Sequence, residues 1–366
     1  MKQIRVVISG GGTGGHIFPA ISIANSVKAL NPDAEILFVG ALGKMEMEKV
    51  PAAGYKIVGL PVAGFHRKLT LRNLSFPFKL INSLLKARKV IKEFKPDVAV
   101  GVGGYASGPV LRIASTRGVP SLLQEQNSYP GVTNRLLAKK ANRICVAYDN
   151  MERFFPKQKL MLTGNPVRKD LLNDIERDEA IKFWGLDASK KTILVIGGSL
   201  GARSINNGII QEIKALPQDV QMIWQTGKFY YEEMKAKLPD ELNDRVVISD
   251  FVSRMDMAFA AADLVVSRAG ASSISELAIL GKPSVFVPSP NVSEDHQTKN
   301  AMALVDKEAA FLIKDSKVSE LVEQAVSLVR DNEKLAILSK NIVKMAKPNA
   351  ALDIGKEVIN LANRSK

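Results

Sequence analysis

Ile4-Arg5-Val6-Val7-Ile8-Ser9-Gly10-Gly11-Gly12-Thr13-Gly14-Gly15-His16 is the stretch on which the fold turns. Its apolar, β-branched start has the length of a buried strand. Five glycines in six positions follow. They permit positive φ and let another molecule approach the backbone closely. Ile17-Phe18-Pro19-Ala20-Ile21-Ser22-Ile23-Ala24 then reads as a helix with proline in its first turn. Strand, glycine turn and helix N-terminus bring free N–H groups and the helix dipole together, so an anionic group is expected there. A tight turn without a ligand is the alternative, and it needs fewer glycines.

The same plan recurs. Pro96 to Val102 followed by Gly103-Gly104-Tyr105-Ala106-Ser107-Gly108-Pro109 is a second copy, and Thr192 to Ile196 followed by Gly197-Gly198-Ser199-Leu200-Gly201-Ala202-Arg203 is a third. The first and third lie about half a chain apart, which predicts two similar α/β halves joined near 162–168. Further strands are expected at 34–40, 55–60, 220–225, 246–248, 263–267 and 283–288, and a last helix over 350–363. Alternating β and α elements imply parallel sheets flanked by helices. Ligands then bind beyond the carboxyl ends of the strands, and the cleft between two such sheets is the expected site.

Composition narrows the class. The chain has 366 residues, enough for two domains, with 46% apolar and 24% charged residues. Its one cysteine, Cys145, lies in an apolar run and is expected to be a buried small hydrophobe. No signal peptide and no membrane-length apolar run are visible, so a cytoplasmic protein is expected. Residues 1–165 carry 24 Lys and Arg against 9 Asp and Glu, whereas residues 166–366 carry 27 against 28. A basic first half suits nucleic acid, an anionic membrane or an anionic substrate. The loop 62–72 mixes basic and apolar residues. The helix after it places Leu80, Leu84, Ala87, Ile91 and Phe94 on one stripe, with Lys79, Asn82, Lys86 and Lys89 opposite. A solvated basic face and a face resting on anionic lipid are both open.

Gly10-x-Gly12-x-x-Gly15 matches the dinucleotide fingerprint, so a nicotinamide- or flavin-dependent enzyme is one reading. That fingerprint expects an acid ending the second strand, and Glu35 instead begins it. There is no GxxxxGK[ST] loop and no helix-turn-helix, zinc or RNP signature. Other features favour a phosphate-and-sugar ligand. Arg168 at the join can neutralise a phosphate. Arg268 to Leu277 opens a helix with small residues, and Glu276 can accept two hydrogen bonds from a ribose diol. Glu294 to Asn300 is a polar loop suited to sugar hydroxyls. No Asp-x-Asp occurs. A diphosphate leaving group would then be stabilised by helix dipoles and Arg rather than by a metal.

Gly11 to His16, Gly103 to Pro109, Glu125-Gln126-Asn127, Thr163-Gly164-Asn165-Pro166-Val167-Arg168, Gly197 to Arg203 and Ser275-Glu276 appear in this order. The series resembles the MurG family of bacterial peptidoglycan N-acetylglucosaminyltransferases, within glycosyltransferase family 28. It runs from residue 4 to about 350. The resemblance implies a GT-B fold, two Rossmann-like parallel-sheet α/β domains facing across a cleft. Residues 1–164 would be the acceptor and membrane side, with the helix of about 343–366 packing back on it. Residues 165–342 would be the donor domain. The implied reaction moves N-acetylglucosamine from UDP-GlcNAc to the C4 hydroxyl of MurNAc in undecaprenyl-linked lipid I, giving lipid II with inversion. Thr13, Gly14, Gly15, Asn127, Arg168, Ser199, Val252, Ala271, Ser272, Ser273, Ile274, Ser275, Glu276 and Gln297 would attend the donor, and Gly104, Tyr105 and Ser107 the acceptor. No cofactor, metal or nucleic acid is implied. Residues of about 65–89 would meet an anionic membrane surface, placing the protein peripherally on the cytoplasmic face.

The attacking hydroxyl must lose a proton, which suits a base with a pKa near neutrality. His16 is the first candidate, and orienting the loop is its other possible role. Glu125 is the second, its alternative being an acceptor that supports its neighbours. Tyr105 and Ser107 are open between acceptor contact and turn packing. Leu200, Gln124 and His296 depart from the family pattern, which expects Gln, His and Gln there.

Overall fold

The computed structural model describes residues 3–62, 76–167, 171, 175–198 and 200–364. Arg168, Ser199 and all of the basic loop 62–72 after Val62 lie outside them. The chain divides into two compact units, Met1–Arg168 with Lys347–Lys366, and Lys169–Ala346.

The first unit runs β1 (Arg5–Ser9), α1 (Gly14–Leu30), β2 (Glu35–Ala41), α2 (Glu46–Ala52), β3 (Lys56–Leu60), α3 (Phe76–Phe94), β4 (Val98–Gly101), α4 (Ser107–Thr116), β5 (Ser121–Glu125), α5 (Val132–Leu137), β6 (Arg143–Val146) and β7 (Leu160–Leu162). The second runs α6 (Arg177–Trp184), β8 (Lys191–Ile196), α7 (Arg203–Glu212), β9 (Val220–Gln225), α8 (Tyr231–Lys237), β10 (Val246–Ser249), α9 (Met255–Ala261), β11 (Leu264–Ser267), α10 (Ala271–Ile279), β12 (Ser284–Phe286), α11 (His296–Val305), β13 (Phe311–Leu312), α12 (Leu321–Arg330) and α13 (Asn332–Val343). α14 (Ala350–Arg364) then returns to the first unit.

The sheets are ordered β3-β2-β1-β4-β5-β6-β7 and β10-β9-β8-β11-β12-β13, with parallel neighbours throughout. In both, strand order reverses beside the first strand, between β1 and β4 and between β8 and β11. Crevices for ligands open at such switch points. All three glycine turns end strands at these two places.

Strands covered on both faces are apolar on both faces. In the first unit, Val6 and Ile8 join Ile23 and Val27 of α1 and Ile354, Val358 and Leu361 of α14 in one core. Val7, Ala99 and Leu123 join Ala87 and Ile91 of α3 and Leu111 of α4 in the other. Each of the valine, leucine and isoleucine side chains among these contributes about 1.5–3 kcal/mol. Cys145 lies wholly inside, as expected, and burial pushes its thiol up to about 12. α14 is further tied by the Arg143–Glu357 ion pair, 2.9 Å. Gly164, at φ +85, must lack a Cβ, because one there would collide with the Lys347 side chain. The second core gathers Ile193, Val195, Met222 and Trp224 with Ile205, Leu321 and Val329.

The stripe expected on α3 holds only in part. Ala87 and Ile91 are buried, but Leu80 is exposed, as are Phe78 (76%), Ile81 (57%) and Leu85. The first turns of α3 thus present apolar side chains to solvent.

Candidate active site

In the first unit the turns after β1 and β4 touch through bare backbone. A Cβ on Gly104 would strike the Gly11 carbonyl and amide, and one on Gly103 would come within 2.8 Å of the His16 ring. Ser107 locks this junction, its hydroxyl lying 2.7 Å from the Ser9 carbonyl and 2.8 Å from that of Gly103. Ser107 is wholly buried, which favours turn packing over acceptor contact, the two roles left open to it. Tyr105, by contrast, is 59% exposed. Thr13 is the N-cap of α1 but makes no side-chain cap bond. Its hydroxyl instead shares a 3.1 Å hydrogen bond with His16 Nδ1.

Glu125 ends β5 and is 2% exposed. Oε1 accepts from the Asn127 backbone and side-chain N–H groups at 3.1 and 3.3 Å. Oε2 accepts from the Gly131 N–H and Asn134 Nδ2 at 3.1 and 2.8 Å. Burial raises its pKa against the opposing pull of these bonds. Four donors on one carboxylate shape the Asn127 loop, which favours the supporting role over that of base. Gln124 is wholly buried and donates to Asn165 Oδ1 at 2.9 Å, while Asn165 donates to the Gln126 carbonyl at 3.0 Å. The departure from histidine at 124 therefore falls in the interior.

In the second unit the turn after β8 packs on the end of β9. Gly201, at φ +75, would drive a Cβ into the Thr226 carbonyl. Gln225 donates to the Gly198 carbonyl at 2.8 Å. Leu200, where the family pattern expects Gln, points outward at 62% exposure. The Val252 N–H donates to Gln225 Oε1 at 3.4 Å. Gly270 caps α10. Ala271 and Ile274 face the core, and the Ser275 hydroxyl bonds back to the Ala271 carbonyl at 3.0 Å. The Ser272 hydroxyl is buried with no hydrogen-bond partner among the described residues. Glu276 stands in the second turn of α10, deeper than a helix-start acid. Gln297 lies in the first turn of α11, and its Oε1 accepts the Ser289 N–H at 2.8 Å.

Sequence reasoning missed two supports. Arg268 is held by Asp315, by the Ser204 hydroxyl at 2.7 Å and by the Val287 carbonyl at 2.9 Å. It thus ties the turn after β11 to the start of α7. Glu46 accepts the N–H groups of Gly12 and Ala41, both at 2.9 Å. Its only signal was an acid soon after a strand ending in glycine and alanine.

Residues 6–146 match the glycosyltransferase family 28 N-terminal domain, and residues 192–354 match its C-terminal domain. A curated relative from Parabacteroides distasonis is 59% identical, covering all of both chains; one from Flavobacterium psychrophilum is 57% identical over the same span. Both are named UDP-N-acetylglucosamine–N-acetylmuramyl-(pentapeptide) pyrophosphoryl-undecaprenol N-acetylglucosamine transferase. The crystal structure of Acinetobacter baumannii MurG superposes with a TM-score of 0.78 at 28% identity, covering 98% of this chain and 99% of that one. A UDP-GlcNAc 2-epimerase from Neisseria meningitidis shares the fold at 15% identity and a TM-score of 0.68, covering 99% of this chain and all of that one. Glycine turns at the switch points of two like sheets, matched along the whole chain by such relatives, place it in glycosyltransferase family 28, the MurG family.

Proposed function

We propose that this family 28 enzyme transfers N-acetylglucosamine from UDP-GlcNAc to the C4 hydroxyl of the N-acetylmuramoyl unit of lipid I, releasing UDP and forming lipid II. The observation that carries this is the 57–59% identity, over the full length of both chains, to relatives named for that transfer. The acceptor oxygen bonds to C1 of the sugar as the C1–O bond to the diphosphate breaks, so the centre inverts. His16 takes the hydroxyl proton, its ring oriented by the Thr13 bond at Nδ1. Tyr105 and the Gly104 backbone serve the acceptor. Thr13, Gly14, Gly15 and Asn127 serve the transferred sugar. In the second unit the Val252 carbonyl meets uracil, Glu276 the ribose and Gln297 the sugar hydroxyls. The charge developing on UDP is met by the turn before α7, with Arg168 and Ser199 assigned there from sequence.

On this reading, with a lipid acceptor, the protein sits peripherally at the membrane, on its cytoplasmic face. Exposed Phe78, Ile81 and Leu85 beside Lys79 and Lys89 support contact with anionic lipid. Among the described residues no helix is long and apolar enough to cross a membrane.

Calorimetry with UDP-GlcNAc in EDTA, with NAD as control, tests the donor. Mass analysis of the product from a lipid I analogue tests the transfer. Saturable binding of the UDP-sugar and a product heavier by one N-acetylhexosamine residue are expected. Binding of NAD instead would overturn the assignment.

A further inference from the structure

Glu46 opens α2 with its side chain only 1% exposed. A carboxylate so placed is costly unless its oxygens are met. Here each oxygen accepts one backbone N–H, Oε2 that of Gly12 and Oε1 that of Ala41 at the end of β2. Such bonds to a charged acceptor are roughly twice as strong as neutral ones. The side chain runs through space left by two glycines. A Cβ on Gly40 would come within 2.5 Å of its Cγ, and a Cβ on Gly11 would collide with its carboxyl group. Gly11 and Gly12 hold φ at +143 and +91, a backbone that glycine adopts freely and that needs a restraint to stay in one form. The clamped Gly12 N–H is one residue from Thr13, whose hydroxyl engages His16. His16 in turn lies against Gly103 of the second turn.

We propose that Glu46 is a positioning residue for the transfer: its buried carboxylate holds the first glycine turn in a single conformation and thereby fixes the Thr13–His16 pair. This rests on the assignment of proton transfer to His16. The residue acts through the turn, from beneath it.

Glu46→Gln keeps the shape but replaces one acceptor oxygen with a donor, which faces an N–H group. Hydrogen exchange in a peptide covering 9–17 should then quicken about tenfold or more, while α14 stays protected. With a lipid I analogue, kcat should fall about 10- to 100-fold, the scale of a misplaced reacting group, while the affinity for UDP, which is assigned to the second unit, stays within about twofold. Gly11→Ala, which pushes on the same carboxyl group, should reproduce this split if Glu46→Gln folds poorly. Unchanged exchange in 9–17 overturns the clamp. A kcat within about threefold of wild type overturns the positioning role, as does a loss that merely tracks lost protection of α14. If wild-type protein makes no lipid II analogue, the functional assignment fails, and the exchange measurement alone still decides whether Glu46 holds the turn.

Discussion

The turn after β1 and the turn after β8 occupy the same place in two sheets of the same order, yet different groups stand behind them. Behind the first is the Glu46 carboxylate, bonded to the Gly12 N–H. Behind the third is the neutral amide of Gln225, bonded to the Gly198 carbonyl, and Arg203 follows at the start of α7. A resident negative charge opposes a second anion nearby. A neutral support with an arginine beside it does not. Glycine spacing marks where backbone must bend and be approached closely, whereas the charge packed behind decides what the turn can hold. This difference agrees with the proposed division, in which the first turn serves hydroxyls and proton transfer and the third a diphosphate.

Four sets of substitutions break or sharpen this contrast. His16→Ala should lower kcat by about 10²- to 10⁴-fold with donor affinity unchanged, as expected for loss of a general base. Wild-type turnover should also fall on acidification, because a protonated imidazole accepts no proton, and the variant should lose that limb. A matching loss of UDP-GlcNAc affinity would erase the division of labour. In the second unit, Glu276→Ala should weaken UDP-GlcNAc binding about tenfold, near the lower value of a hydrogen bond to a charged group, and leave Tm unchanged. Calorimetry reads both, and unaltered affinity removes Glu276 from the donor site.

Phe78→Ser with Ile81→Ser should reduce binding to anionic vesicles about tenfold while a soluble acceptor turns over normally. Adding truncations of Lys68 and Arg72 should lower it further, and persistent sedimentation with vesicles would separate α3 from the membrane. The smallest effect belongs to Glu125. Its native pKa is raised above 4.5 by burial, so its contribution to stability is fully present below about 4.5 and is lost as the pH rises through the native value. The Tm of Glu125→Gln relative to wild type should therefore rise by a few degrees at most over that interval. A difference that is flat with pH would mean that the side chain is not strained by burial.

What could be read from the chain alone was local. The runs at β1, β4 and β8 declare themselves because a parallel strand covered on both faces is continuously apolar and here runs into glycine. β13, only two residues long, gives no such signal. The site divides the same way. His16 and Tyr105 are visible because they interrupt glycine turns. Ser107 stands in the same motif, but whether it faces a ligand or the Ser9 carbonyl depends on how two turns distant in sequence meet. Glu46 is harder still. It is one acid among Met45-Glu46-Met47-Glu48, and only the folded sheet brings it beneath Gly12. The start of α3 reads as open to lipid, but its exposed Ile81 and Leu85 lie off the expected stripe, since periodicity marks an apolar face without saying what covers it.

The return of α14 to the first unit has a consequence for biosynthesis. Ile354, Val358 and Leu361 complete the core around Ile23 and Val27, yet the ribosome makes them more than 300 residues later. Domains generally fold as units in order of emergence. Here the unit whose synthesis begins first cannot close its core until the other has been made. The nascent first half must wait with the Ile23–Val27 face of α1 uncovered, open to chaperones in the interval.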